Sequence, residues 1–348
     1  MKKSFKFSLI ILFLSIYLNS FSQIGGSDTY QFLTLPNSAR IAALGGNFLA
    51  IKDNDISLAI ANPSLITDKM NGKLAVNYVK YFSDINYGFA AYAHSFKKLG
   101  TFIGSLQYIN YGSFTYADAT GQTSGTFKAG EYAFNIGWSK MLDSNFSLGS
   151  NLKIINSSFE TYNSFGVAID LAATYHNAAK RFTASLMLKN IGRQLSYYRQ
   201  DNKESLPFEI QLGISKKLGH APFRFSLLLN HLEKWDLTYE DPLNPSVKTD
   251  PLTGEKIEKS DLSLFGDKLM RHIVAGVEFM PSESFNIRLG YNYQRRQEMK
   301  VESALSTVGF SWGFGFRVSR FYLSYANVIQ HLSGSSHFFT IATNISEF

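Results

Sequence analysis

Between Leu305 and Phe321 large and small side chains alternate with a period of two. Val308, Phe310, Trp312, Phe314, Phe316 and Val318 stand against Gly309, Ser311, Gly313, Gly315 and Arg317. Successive side chains of a strand face opposite sides, so one face is broad and apolar and the other small or polar. One such strand would suit a soluble sheet. About fourteen such runs follow one another from Leu74 to the end of the chain. They fall near 74–81, 85–94, 100–109, 130–140, 146–155, 164–175, 181–190, 207–217, 222–231, 271–280, 285–295, 306–318, 320–328 and 337–346.

The connections carry a second pattern. After even-numbered strands they are short, as at 142–145, 219–221 and 281–284; after odd-numbered strands they are mostly long, at 110–129, 156–163, 191–206, 232–270, 296–305 and 329–336, with only 82–84 against the rhythm. Short turns at one rim and long loops at the other mark an outer-membrane barrel, and an even strand count puts both chain ends at the periplasmic rim. The polar residues agree: Lys153, Asp170, Lys189, Glu209, Arg224, His272, Glu278, Arg288 and Arg317 all lie opposite the aromatics. Thirty Phe and nineteen Tyr supply an apolar, partly interfacial outer face. Since no backbone group can stay unpaired in lipid, the sheet must close. A soluble β-sandwich would leave the loop rhythm unexplained. The expected fold is all-β, a transmembrane antiparallel β-barrel of about fourteen strands spanning 71–348.

Lys2, Lys3 and Lys6, the apolar Leu9–Leu18 and Ser20-Phe21-Ser22 form a signal peptide over 1–22, cut after Ser22. Three of the lysines behind the formal +7 lie there, so the exported chain carries about +4, too little to imply nucleic acid. Cysteine is absent, which excludes disulfides, thiolate metal sites and a lipidated N-terminus. The end of the last strand is irregular. Phe339, Ile341 and Ile345 lie on one parity and Phe348 on the other, so either a bulge shifts the phase or the strand stops short.

Residues 23–70 do not alternate. Asn37 or Ser38 can cap a short helix over 39–44 that Gly45-Gly46 ends, and a second helical turn stops at Asn62-Pro63. Outside the barrel, Ile41, Leu44, Phe48, Leu49, Ile51 and Ile56 would be left wet, so the segment is expected in the lumen as a partly helical plug. Its candidate residues are Arg40, Gly45, Gly46, Asn62 and Pro63.

Ser38-Ala39-Arg40-Ile41-Ala42-Ala43-Leu44-Gly45-Gly46, followed by Asn62-Pro63-Ser64-Leu65, resembles the N-terminal signature of the fatty-acid-transporter-like barrels. Within that superfamily the chain looks most like the PorQ group of the type IX secretion system of Bacteroidota. The similarity extends to Tyr30-Gln31-Phe32-Leu33, His220-Ala221-Pro222-Phe223-Arg224-Phe225, Asp267-Lys268-Leu269-Met270-Arg271-His272 and Ser311-Trp312-Gly313-Phe314-Gly315. What it implies is a fourteen-stranded barrel without enzymatic activity or cofactor. The barrel would hold a PorZ-like surface protein in an attachment complex with PorU- and PorV-like proteins, where cargo is processed and linked to anionic lipopolysaccharide. The alternative is a fatty-acid-transporter-like channel for lipophilic small molecules.

Two fragments imitate catalytic motifs. Gly309-Phe310-Ser311-Trp312-Gly313 fits G-x-S-x-G but lies mid-strand, without the strand-to-helix turn a nucleophile needs. Ser95-Phe96-Lys97-Lys98 fits S-x-x-K but lacks its partner motifs. The seven histidines are scattered, and no metal motif is present. The 232–270 loop is the expected partner surface, through Trp235, Tyr239, Glu240, Asp241, Leu252 and Phe265. Its Asp250–Glu255 stretch is a weak calcium candidate.

Overall fold

The structure, a computed structural model, describes residues 28–200, 202–238, 248–249, 256–257, 260–299, 307–331 and 334–347. Fourteen antiparallel strands close into one barrel in which the first pairs with the last. They are β1 (Lys73–Lys80), β2 (Asn86–Phe96), β3 (Gly100–Ala117), β4 (Thr123–Met141), β5 (Phe146–Phe159), β6 (Tyr162–Asn177) and β7 (Phe182–Ser196). The circuit continues with β8 (Glu209–Lys217), β9 (Phe223–Leu229), β10 (Ile273–Phe279), β11 (Phe285–Asn292), β12 (Phe310–Val318), β13 (Phe321–His331) and β14 (Gly334–Asn344).

Period-two patterning sets which face is which. In β4, Tyr132, Phe134, Ile136 and Trp138 are exposed on the outer wall, while Glu131, Ala133 and Asn135 are buried inside. In β12, Phe310 and Trp312 face out and Ser311 faces in. Val308 does not join them. It is buried in the turn before β12, where Gly309 takes φ +91° and resets the phase. At the far end β14 stops at Asn344 and the chain turns into a short 3-10 helix, with Phe339 and Ile341 on the outer wall; Phe348 lies outside the described residues.

The loop rhythm needs correcting in detail. Three connections expected to be long, 110–129, 156–163 and 329–336, are mostly strand: β3 and β4 meet across residues 118–122, β5 and β6 across 160–161, and β13 and β14 across 332–333. The ladder continues because these stretches supply cross-strand aromatic pairs such as Phe114–Phe127, whose rings stack 5.2 Å apart. The connections over 197–208, 230–272 and 293–309 stay long, and two carry helices, Asp261–Arg271 and Tyr293–Met299. The latter takes the end of what the periodicity reads as strand 285–295.

One irregularity in the wall is built by a carboxylate. Ile169 pairs with Ile191 and Leu171 with Leu188, so Asp170 faces the two residues Lys189 and Asn190, a β-bulge with Asn190 at φ +57°. Asp170 Oδ1 accepts the Asn190 backbone N–H at 2.8 Å, and its Oδ2 pairs with Lys153 Nζ at 2.8 Å. Lys153 Nζ also donates to Asn190 Oδ1 at 2.7 Å.

Residues 28–70 thread the barrel from rim to rim. Asp28 and Thr29 bond to Ser205 in the β7–β8 loop, and the Tyr30 hydroxyl pairs with Ser164 Oγ at the top of β6. The segment then descends to the short-turn rim, where Gly72 donates to Ala93 O and β1 begins. The described chain therefore starts at the loop rim and ends at the turn rim. The even strand count holds for the barrel itself, whose first strand begins and last strand ends at the turn rim; residues 1–27 and Phe348 lie outside the described residues.

Candidate functional site: a plug latched by buried charge

The plug is short irregular pieces, and such pieces leave backbone carbonyls unpaired. The inward side chains of the strands satisfy them. Gln107 donates to Phe32 O (2.7 Å), Ser311 to Ala43 O (3.0 Å), Ser147 to Ser64 O (2.7 Å) and Ser139 to Ile66 O (2.7 Å). Thr340 Oγ1 accepts from Ala39 N at 2.8 Å. The small polar face of the strands, which reads as the barrel interior in sequence, is thus largely a receptor for the plug. Leu44, Phe48, Leu49, Ile51 and Ile56 are at most 2 % exposed, so the apolar part of the segment is dry.

Helix α1 (Ala39–Ala43) starts at Ser38, whose Oγ accepts from Ile41 N at 3.3 Å. It ends at Gly45 and Gly46, with φ of +112° and +104°, where other residues would be strained. The wall makes room for it: a Cβ on Gly290 of β11 would lie 2.2 Å from the Leu44 carbonyl carbon. Helix α2 (Ile56–Ala61) is capped by Asp55, whose Oδ1 accepts from Ser57 N at 2.9 Å. After it, Asn62 Oδ1 accepts from Ser64 N at 3.0 Å, and its Nδ2 reaches Leu49 O at 2.6 Å. Pro63 opens the next 3-10 turn, where a missing N–H costs nothing.

Arg40, placed by α1, is the hub of a charge cluster in which Arg40, Arg224, Glu278 and Arg288 are buried while Asp53 and Asp55 lie at its more open edge. Its Nε and Nη2 meet Glu278 Oε1 and Oε2 at 2.9 and 3.1 Å. Its Nη1 and Nη2 also meet Asp53 at 3.1 and 2.6 Å, and Nη1 meets Asp55 Oδ2 at 2.9 Å. From the wall, Arg224 Nη1 pairs with Glu278 (2.7 Å) and Asp53 (3.0 Å), and Arg288 Nε with Glu278 Oε1 (3.0 Å). Three guanidiniums balance three carboxylates. A buried charge is tolerable only when paired in this way, so each partner holds the others in place. Periodicity locates Arg224, Glu278 and Arg288 on the inner face; no spacing in the sequence marks Asp53 and Asp55 as their partners.

Above the latch, a cavity of about 50 Å³ lies between plug and wall, lined by Leu33, Phe48, Leu49, Lys153 and Gln211. That is room for a few waters and not for a lipid chain.

At the loop rim, helix α3 (Asp261–Arg271) presents Leu262, Phe265 and Leu269 outward, at 81, 53 and 40 % exposure. Trp235, half exposed, packs between Phe265 and His272 at ring distances of 5.4 and 5.7 Å. Lys268 ties the helix to Asp236 at 2.7 Å. Partial burial pushes the Asp236 carboxyl up, but hydrogen bonds from Lys268 and Thr238 outweigh it and bring the group down to about 2. Of the expected partner residues, Trp235 and Phe265 come together here; Tyr239, Glu240, Asp241, Leu252 and the Asp250–Glu255 stretch lie outside the described residues. The helix itself had a signal in Ser260 as cap and in the spacing of Leu262, Phe265 and Leu269.

The serine of the elbow-like motif is engaged with the plug through Ala43, and His272 is held between the carbonyls of Asn230 (2.8 Å) and Trp235 (3.1 Å). The structure gives each a packing partner and does not bring the two together. Among the described residues no group of His, Asp or Glu is arranged to hold a metal ion.

Fold and lumen together define an outer-membrane type of fourteen-stranded barrel with an internal plug. No protein-family model matches the chain, and no curated protein does. Among solved structures, it is similar to a TodX monoaromatic hydrocarbon channel with the deltaS2 mutation. The TM-score is 0.52 and the identity 11 %, over 89 % of this chain and 97 % of that one. It is also similar to the deltaS2S3 mutant of the same channel, with TM-score 0.50 and 12 % identity over 88 and 98 % of the two chains. Likeness at that identity shows a shared fold. For the fatty-acid-transporter-like resemblance this adds the barrel fold alone, and the narrower resemblance, to the PorQ group, gains no support from these comparisons.

Proposed function

We propose that this chain works as a shut outer-membrane scaffold that performs no chemistry of its own and holds a surface partner at its loop rim. The observation that carries the reading is the Arg40–Glu278 latch, with Arg224, Arg288, Asp53 and Asp55 around it. Two ion pairs join plug to wall, Arg40–Glu278 and Arg224–Asp53, and the others brace them from either side, which fits a shut pedestal rather than an open pore. The exposed Trp235, Leu262 and Phe265 supply aromatic and aliphatic anchors of the kind partner surfaces use. The sequence resemblance would make that partner a PorZ-like protein beside PorU- and PorV-like components. The test is affinity capture of the tagged barrel from detergent-solubilised membranes. Capture of a surface protein, lost on Phe265→Asp with Trp235→Ala, is expected; attachment of cargo unchanged in a deletion strain would overturn the reading.

A second reading is a channel for lipophilic small molecules, and the fold shared with the TodX hydrocarbon channels favours it over the scaffold. It requires the plug to shift, because the cavity above the latch is too small as it stands. Saturable binding of a fluorescent fatty acid to the purified barrel, with slower uptake of hydrocarbons by the deletion strain, would put this reading first.

A further inference from the structure

Two neighbouring turns at the turn rim are tied together by cations. The β6–β7 turn spans 178–181 and the β8–β9 turn 218–222. Arg181 Nη1 donates to the carbonyls of Leu218 and Gly219 at 2.9 and 3.1 Å, and Lys216 Nζ donates to the Lys180 carbonyl at 2.5 Å. The last bond puts the Lys216 ammonium against the peptide that joins Lys180 to Arg181, so three cationic residues meet at one turn. All three are exposed, and among the described residues none forms an ion pair. Lys216 keeps two N–H groups, Arg181 those of Nε and Nη2, and Lys180 all three of its ammonium. Acids stand in the flanking turns. Asp143 Oδ1 accepts the backbone N–H groups of Asn145 and Phe146 at 2.7 and 2.8 Å, and Glu283 lies between β10 and β11; neither pairs with these cations.

A second observation comes from the backbone. Arg181 sits at φ +50°, in the left-handed region where glycine or asparagine is the easier occupant. The turn itself gains nothing from an arginine there; what the residue adds is its guanidinium. A third comes from the outer wall. Lys216 points outward, directly opposite Phe182 of β7 on one side and Phe225 of β9 on the other. Farther from the rim, Ala184 is paired with Ile214 and Leu186 with Leu212, and Leu186, Leu212 and Ile214 are exposed. From mid-wall to rim the surface thus passes from aliphatic side chains through a Phe–Lys–Phe row to bare cationic groups. A phospholipid passes in the same order from acyl chain through glycerol ester to phosphate.

We propose that the outer wall at this pair of turns binds one anionic phospholipid. Its acyl chains lie along Leu186, Leu212 and Ile214, and its phosphate oxygens take the remaining N–H groups of Lys180, Arg181 and Lys216. The occupant is a membrane lipid and not a soluble phosphate, because the cations border an exposed apolar wall that a free ion would leave bare. A headgroup with net negative charge is favoured over a zwitterionic one, whose own ammonium would meet the two lysines. The site holds under either reading of the function, because neither uses this stretch of wall.

The test is native mass spectrometry of the delipidated full-length barrel in a neutral detergent, titrated with phosphatidylglycerol and with phosphatidylethanolamine of the same chains. Saturable retention of one phosphatidylglycerol is expected, several-fold tighter than phosphatidylethanolamine. It should weaken about tenfold or more in Lys180→Gln with Lys216→Gln, since each lysine near an anionic lipid surface counts for about fivefold. Lys97→Gln with Lys98→Gln removes the same charge from the β2–β3 turn of the same rim and should leave the affinity unchanged. Unchanged migration of the unheated barrel on gels checks that each variant folds. Equal affinity for the two lipids, full binding by the folded Lys180 and Lys216 variant, or an equal loss in both variants overturns the site. Displacement of the lipid by the soluble headgroup glycerophosphoglycerol at matching concentration would make it a site for free phosphate esters and overturn the lipid assignment.

Discussion

Glu278 carries more of this molecule than any sequence pattern suggests, since it is 0 % exposed and pairs with Arg40, Arg224 and Arg288 at once. Removing it in Glu278→Ala leaves three buried guanidiniums sharing Asp53 and Asp55. The expected cost is about 3–5 kcal/mol, the usual range for stripping one partner from a buried pair. A lower unfolding temperature and noisier conductance in planar bilayers would record it; wild-type behaviour in both would mean the latch is not what holds the plug. Asp170 is a parallel case in the wall. Asp170→Ala unpairs Lys153 and frees the Asn190 N–H of the bulge, so a loss of similar size, ~3 kcal/mol, is expected in chemical unfolding. At this scale the sequence was half legible. Alternation placed Asp170, Arg224, Glu278 and Arg288 inside, but which charge meets which depends on strands distant in the chain.

Among the elements, α3 shows how local chemistry and tertiary anchoring combine. Its cap and amphipathic spacing are local, whereas its position depends on Lys268 meeting Asp236. The Asp236 carboxyl sits at about 2 in the folded chain, below the ordinary value near ~3.9. A depressed carboxylate stabilises above its unfolded value and loses that contribution as pH falls toward its folded value. The α3 attachment should therefore loosen between roughly pH 4 and pH 2. Fluorescence of Trp235 in a background where Trp138 and Trp312 are Phe should report the change, and Asp236→Asn should abolish that pH dependence. The strands were legible because their period is short and their two faces meet different surroundings. The extension of β3 to β6 past the expected ends was not, because outside the lipid the alternation no longer has to separate apolar from polar.

For the whole molecule, the N-terminal descent is the least expected feature. Asp28 and Thr29 bond to the β7–β8 loop while β14 ends at the opposite rim. An epitope inserted ahead of Asp28 should therefore be reached by antibody on intact cells, and one placed after β14 only once the outer membrane is opened. The reverse pattern would refute the threading. The architecture is that of outer-membrane barrels, and it leaves scaffold and channel as proposals that the loop rim and the plug must decide.

The repeated alternation and the strand count were enough by themselves to determine a closed, lipid-facing barrel. Both follow from one local rule: neighbouring side chains point opposite ways, and lipid tolerates no unpaired edge. Only the tertiary structure decided that the polar inner face is mostly a seat for the plug, that six charges from four separate segments form one latch, and that the chain crosses its own lumen. Those outcomes rest on contacts between residues as far apart as Arg40 and Glu278, or Ser311 and Ala43. Nothing in the period of a strand encodes such distances.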